Sequence, residues 1–119
     1  MLNPLEEVEQ RAFINYLRLN KIVYFATINE TPWRKYVPRS VYNKIMAGFK
    51  LMGLISGVND VFVYLPNILL HLEFKRRDGK GKQSIDQMKW QDKVNKFPYA
   101  VYRIANSYEE AIEIVEELL

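Results

Sequence analysis

Two apolar segments flanking Pro66 and Asn67 constrain this chain more than anything else in its 119 residues. The stretches DVFVYL (60–65) and ILLHLEFK (68–75) are rich in β-branched and aromatic side chains, and the Pro-Asn between them is a turn signal, so they predict a β-hairpin. A symmetric turn sets Leu65 opposite Ile68 and, counting outward, Asp60 opposite Glu73. Side chains alternate along a strand. Val61, Val63, Leu65, Ile68, Leu70, Leu72 and Phe74 therefore share one face, which is wholly apolar and must be core. Asp60, Phe62, Tyr64, Leu69, His71, Glu73 and Lys75 share the other. That face ends in two carboxylates and an ammonium, and desolvating such groups is costly unless something compensates.

Directly opposed residues bring their β-carbons to about 4.5–5.5 Å, and like charges so placed destabilise a ladder. A cation between Asp60 and Glu73 reverses the sign of that interaction. Mg²⁺ or Mn²⁺ suits a two-carboxylate site that keeps several waters. Lys75, two residues beyond Glu73 on the same face, is placed to orient or deprotonate a water, or to stabilise charge developing on a phosphate. This is the chemistry of metal-assisted phosphodiester hydrolysis. The plainer alternative is a Glu73–Lys75 ion pair at a strand end, a common surface feature. The coincidence of Asp60 at the matching register weighs against it, although a slip of one residue would turn Asp60 to the opposite face.

The remaining pattern surrounds this hairpin with helices and two further strands. Residues 3–20 read as an amphipathic helix, with Asn3 as cap, Pro4 at the first position and an apolar stripe of Leu5, Val8, Ala12, Phe13, Tyr16 and Leu17. Residues 22–28 read as a strand, 29–40 as a loop with two prolines, and 41–54 as a helix ending near Gly53. Ser84 caps a helix running to about Val94, with Gln87 completing a capping box. Residues 99–104 form a fourth strand, and a helix capped by Ser107, with Glu110 three residues on, closes the chain. The order α-β-α-β-β-α-β-α predicts one α/β domain over 1–119, a mixed four-stranded sheet flanked by helices.

Composition removes several function classes. There is no cysteine, hence no disulfide framework, thiolate nucleophile or cysteine zinc site. The single histidine, His71, excludes a multi-histidine metal centre and would have to carry any Ser-His-Asp triad alone. No apolar run approaches a membrane span and the acidic N-terminus lacks a signal-peptide pattern, so a soluble, cytoplasmic protein without membrane partners is expected. The net charge of +3 is modest but uneven. Lys75, Arg76, Arg77, Lys80 and Lys82 crowd one segment, while Glu109, Glu110, Glu113, Glu116 and Glu117 collect at the C-terminus. A solvated loop would explain the basic run; so would a polyanionic partner. Gly79-Lys80-Gly81-Lys82 lacks the rest of a phosphate-binding P-loop. Arg76, Arg77, Lys80 and Lys82 are better suited to touching a nucleic-acid backbone.

Asp60, followed by Glu73-Phe74-Lys75 on the next strand, resembles the active-site signature of the PD-(D/E)XK nuclease superfamily. More narrowly, the chain resembles a VRR-NUC domain (virus-type replication-repair nuclease). Glu6-x-x-x-Gln10, Gly57-Val58-Asn59-Asp60, Ser84-x-x-Gln87-x-x-Trp90 and the final SYEEAIEIVEELL support this in order and spacing over nearly the whole chain. The resemblance implies a restriction-endonuclease-like fold and a divalent-metal site. Asp60 and Glu73 would be ligands with the Phe74 carbonyl a third, Lys75 the catalytic lysine, Gln87 beside the site, and Glu6 contributing from the first helix. Glu9 rivals Glu6, because helix phase in one sequence does not separate them. Gln87 is equally explained as a capping partner, Trp90 as a packed aromatic, and His71 as a packed or solvated side chain. Asn59 stands where the family often has proline, which bears on local geometry.

The function implied is a structure-specific DNA endonuclease of repair or recombination using Mg²⁺ or Mn²⁺. Small stand-alone members of the family act on four-way (Holliday) junctions as symmetric dimers, so a homodimeric junction resolvase is expected; two symmetric cuts need two sites related by a two-fold axis. The alternatives are a monomeric flap or nicking nuclease, and a non-catalytic nucleic-acid-binding module of the same fold.

Overall fold

The hairpin forms in the expected register. Strand β2 (Val61–Tyr64) runs antiparallel to β3 (Leu69–Phe74), with Val61 opposite Leu72 and Tyr64 opposite Leu69. The computed structural model describes residues 4–27, 34–79 and 81–119. Around the hairpin lie α1 (Pro4–Leu19), β1 (Tyr24–Ala26), a 3-10 turn (Arg34–Tyr36) and α2 (Arg39–Leu51). α3 (Ile85–Val94), β4 (Ala100–Ala105) and α4 (Tyr108–Leu118) follow. The sheet order is β1-β2-β3-β4, antiparallel except for the parallel β3–β4 pair. It is the expected mixed α/β sheet in the expected element order.

The apolar face of the hairpin is the core. Phe13 and Leu17 of α1 and Ala111, Ile114 and Val115 of α4 pack on Val61, Val63, Leu70, Leu72 and Phe74. α3 covers part of the opposite face, where the Trp90 ring lies 6.2 Å from that of His71. β3 is thus covered on both sides, and Glu73 and Lys75 are buried with it.

Local chemistry sets the boundaries. Ser84 and Gln87 form the full capping box, the Ser84 side chain accepting from the Gln87 N–H and the Gln87 side chain from the Ser84 N–H. Ser107 accepts from the Glu110 N–H, whereas the Glu110 carboxylate reaches back one residue further, to the Asn106 N–H. β1 is shorter than the expected 22–28 because its pairing with β2 begins at Tyr24, although the Val23 carbonyl still accepts from the Tyr64 N–H at 2.9 Å. α2 begins two residues early, straight after Pro38, whose extended backbone closes the preceding loop. Asn3, Ile28 and Lys80, named in the sequence reading, lie outside the described residues.

Candidate metal centre

The β2–β3 ladder stops at Val61 and Leu72, and a side chain takes over at Asp60. Its carboxylate Oδ2 accepts a 2.8 Å hydrogen bond from the Phe74 N–H, while its backbone carbonyl accepts from Thr27 of the β1 side at 2.8 Å. The Lys75 N–H points the other way, to the Ala105 carbonyl of β4. Because lateral direction alternates along a strand, the Phe74 carbonyl lies on the same side as its N–H, toward Asp60. Burial pushes the Asp60 carboxyl up to about 7. The Phe74 N–H opposes that shift, the Glu73 charge adds to it, Lys75 opposes it, and Glu6 adds again.

Glu73 is fully buried. The Tyr102 hydroxyl of β4 donates to its Oε2, while Oε1 is buried with no hydrogen-bond partner. Burial raises its proton affinity, partly offset by Tyr102, Lys75 and the nearby Gln83 amide. A buried carboxylate with one oxygen tied down and one left over is a costly arrangement for a protein acting alone. It fits a hard cation: the donors are oxygens, and the leftover atom needs positive charge. Among the described residues no three acidic or histidine side chains converge as a metal-binding group. A metal here would draw on Asp60, Glu73, the Phe74 carbonyl and water, the partial coordination Mg²⁺ accepts.

Lys75 is buried as well, and its Nζ donates to Gln87 Oε1 at 2.8 Å. That oxygen also accepts from the Ser84 N–H. One amide oxygen of Gln87 thus completes the cap at the start of α3 and accepts from the lysine. Of the two first-helix acids, Glu9 is buried and paired with Arg77, which also pairs with Glu109 at 3.0 Å. Glu6 is the acid whose charge is felt by both Asp60 and Glu73.

Behind the acids, Asn59 fixes the floor of the site. Its amide donates to the Val61 carbonyl at 2.8 Å, so Oδ1 is the acceptor for Trp90 Nε1 at 2.8 Å and His71 Nδ1 at 3.0 Å. This assigns the His71 proton to Nδ1, and burial lowers that ring's proton affinity. His71 is a packed histidine; Trp90 is not a core residue but a half-buried strut of the site face. The basic segment is partly consumed. Arg77 is held by two acids and Arg76 pairs with Asp78 at 2.7 Å, while Lys82 is exposed.

Sequence reasoning missed Tyr102, Gln83 and the Asn59 network. Tyr102 sits opposite His71 in the parallel β3–β4 register, a pairing made across the whole of α3. No local pattern in YAVYRI marks that one tyrosine.

No protein-family model and no curated protein matches the chain. A solved structure described as a "VRR_NUC domain protein" does, over 100% of this chain and 91% of its own, at 18% identity and a TM-score of 0.64. The chain carries the fold of a VRR_NUC domain. The α/β architecture and mixed open sheet agree with that neighbour throughout the chain. No helix among the described residues is long and apolar enough to cross a membrane.

Proposed function

We propose that this chain is a divalent-metal-dependent endodeoxyribonuclease of VRR-NUC type, with Asp60, Glu73 and the Phe74 carbonyl holding Mg²⁺ or Mn²⁺. The observation that carries the reading is Glu73 Oε1, buried without a partner on the same sheet face as Asp60. A divalent ion would supply Lewis acidity and a water of lowered pKa. The chain's own groups do the rest. Tyr102 keeps Glu73 in one orientation, as an outer hydrogen bond to a ligand does. Gln87 holds the Lys75 ammonium at the mouth of the acid pair, where it can orient the attacking water or neutralise charge on a phosphate oxygen. Glu6 adds a further acid at the site's edge. Lys82, exposed on the loop after β3, is the described cation best placed for flanking phosphates.

The substrate favoured by this reading is branched DNA, a four-way junction cut by a dimer. Chelation should abolish cleavage, and a panel of duplex, flap and junction DNA should show the junction cut first. Full activity in excess chelator would overturn the metal site. Cleavage of flaps by a monomer that ignores junctions would replace the resolvase reading with a flap nuclease.

A further inference from the structure

The sheet face that carries the acids also carries a row of rings. Register sets Phe25 opposite Phe62 and Phe62 opposite His71, so the three stand side by side across β1, β2 and β3. Phe25 and Phe62 stack at 4.5 Å and 7°, and Phe62 meets His71 edge-on at 4.6 Å. Trp90 of α3 extends the series beyond His71. Asp60 and Glu73 lie two residues along from Phe62 and His71, so the row runs about 7 Å from the acids, on their own face.

The far end of the row is open, with Phe25 45% exposed. The segment that follows α2 borders it: Leu54 and Ile55, together with the four rings, line a pocket of about 490 Å³. That volume lies within the roughly 300–1,000 Å³ of sites that hold small organic ligands. The polar groups of the lining are nearly all committed to Asn59. The Thr27 hydroxyl donates to its carbonyl at 2.6 Å, and Trp90 Nε1 and His71 Nδ1 both donate to its Oδ1. His71, only 6% exposed, keeps Nε2 as an acceptor without a partner among the described residues. The chain leading into this wall is uniformly basic. Residues 31–59 contain Arg34, Lys35, Arg39, Lys44 and Lys50 and not one acid; Lys35, Arg39, Lys44 and Lys50 are exposed.

We propose that this pocket receives one unpaired nucleobase of a DNA strand whose backbone passes the acid pair. The cations that border it single out a polyanion over an apolar peptide. Any base can stack on aromatic side chains, because every base has a π-face. Each of the four also carries an N–H on its pairing edge for His71 Nε2 to accept. A base inside a duplex has that edge occupied and both faces covered, so it is excluded. Asn59 fixes Trp90 and His71 before any ligand arrives, which leaves little ordering to be done on binding. The inference deepens the nuclease reading and rests on it for the identity of the polyanion. It makes the pocket the feature that separates DNA with an unpaired base near the cut from continuous duplex.

The test is binding measured in chelator, so neither metal nor cleavage enters it. Fluorescence anisotropy compares a fully paired duplex with one that carries a single extra, unpaired base. The wild-type chain should prefer the bulged duplex at least about fivefold, the lower end of what one base stacked on an aromatic side chain contributes. An abasic bulge keeps the flexible backbone and removes the ring, and it should lose the preference. Phe25→Ala and Ile55→Glu should lose it too; both side chains are about half exposed, at 45% and 47%, so circular dichroism should not change. Phe25→Trp should keep it. A preference that survives the abasic bulge, or survives both Phe25→Ala and Ile55→Glu, would overturn the pocket. Equal affinity for the two duplexes, or binding to neither, would also overturn it and give the pocket to an apolar ligand or another chain. Cleavage in Mg²⁺ without any such preference would remove the pocket and leave the nuclease; a base-dependent preference in a chain that never cleaves would do the reverse.

Discussion

At the scale of single residues, the site is held in tension by burial. Asp60 and Glu73 share a sheet face from which water is largely excluded, and both bind protons more tightly than free carboxylates. The Asp60 carboxyl, pushed up to about 7 mainly by burial, makes a definite pH prediction. Its unfolded value is near 4, so the folded state favours the neutral form. That stabilisation is full below about pH 4 and is lost as pH rises through about 7, on the order of a few kcal/mol. In chelator, urea melts should show Asp60→Asn gaining on the wild type as pH goes from 5 to 8, with Mg²⁺ restoring the wild type at pH 8. The variant should lose cleavage under all conditions. A stability difference that does not grow with pH would contradict the burial of that charge. The acids and Lys75 were legible in the sequence because hairpin register and strand alternation are local rules. Tyr102 and the Asn59 network were not, because they depend on a parallel pairing and on which face α3 covers.

At the scale of elements, the loop before Asp60 and the first turn of α3 act as one piece. Gly57 has φ +84°, and a Cβ there would stand 2.4 Å from the Asp86 carbonyl carbon, inside backbone that has no flexible end to move. The loop that delivers Asn59 and Asp60 is thereby pressed against the turn that delivers Gln87, which in turn holds Lys75. Gly57→Ala should destabilise the fold by about 2–4 kcal/mol, combining backbone strain with a forced separation. Gly53→Ala is the comparison: its φ is +108° but a Cβ there meets nothing within 4 Å, so only the strain, about 1 kcal/mol, should be felt. Equal melting temperatures for the two variants would remove the clamp from the account. Element order was readable because caps, turns and apolar period are all written locally; Ser84 and Gln87 announce α3 almost to the residue. The extent of β1 was not, since it depends on how far β2 runs alongside it. Nor was the packing of Trp90, whose helical spacing fits a core residue as well as a strut.

At the scale of the whole molecule, what matters is where charge is spent. The basic run after β3 looks uniform in sequence, yet its members do different work. Arg77 ties β3's exit to both α1 and α4 through Glu9 and Glu109, across 68 and 32 residues of chain. These helices also pack against each other over the core, so the guanidinium fastens the end of the apolar layer rather than facing solvent alone. Lys82 is exposed and belongs to the surface field. Phosphate contacts release counterions, and each one lost lowers the slope of log affinity against log salt by about one. Lys82→Ala should therefore flatten the salt dependence of DNA binding by about one and leave the melting temperature unchanged. Arg77→Ala should do the opposite: it lowers the melting temperature by leaving the buried Glu9 carboxylate without its partner, and leaves the salt slope near the wild-type value. Filter binding across a salt series, paired with thermal melts of both variants, separates the two roles. A salt slope that falls equally in both would mean that DNA draws Arg77 away from its acids, and that the basic segment acts as a single patch.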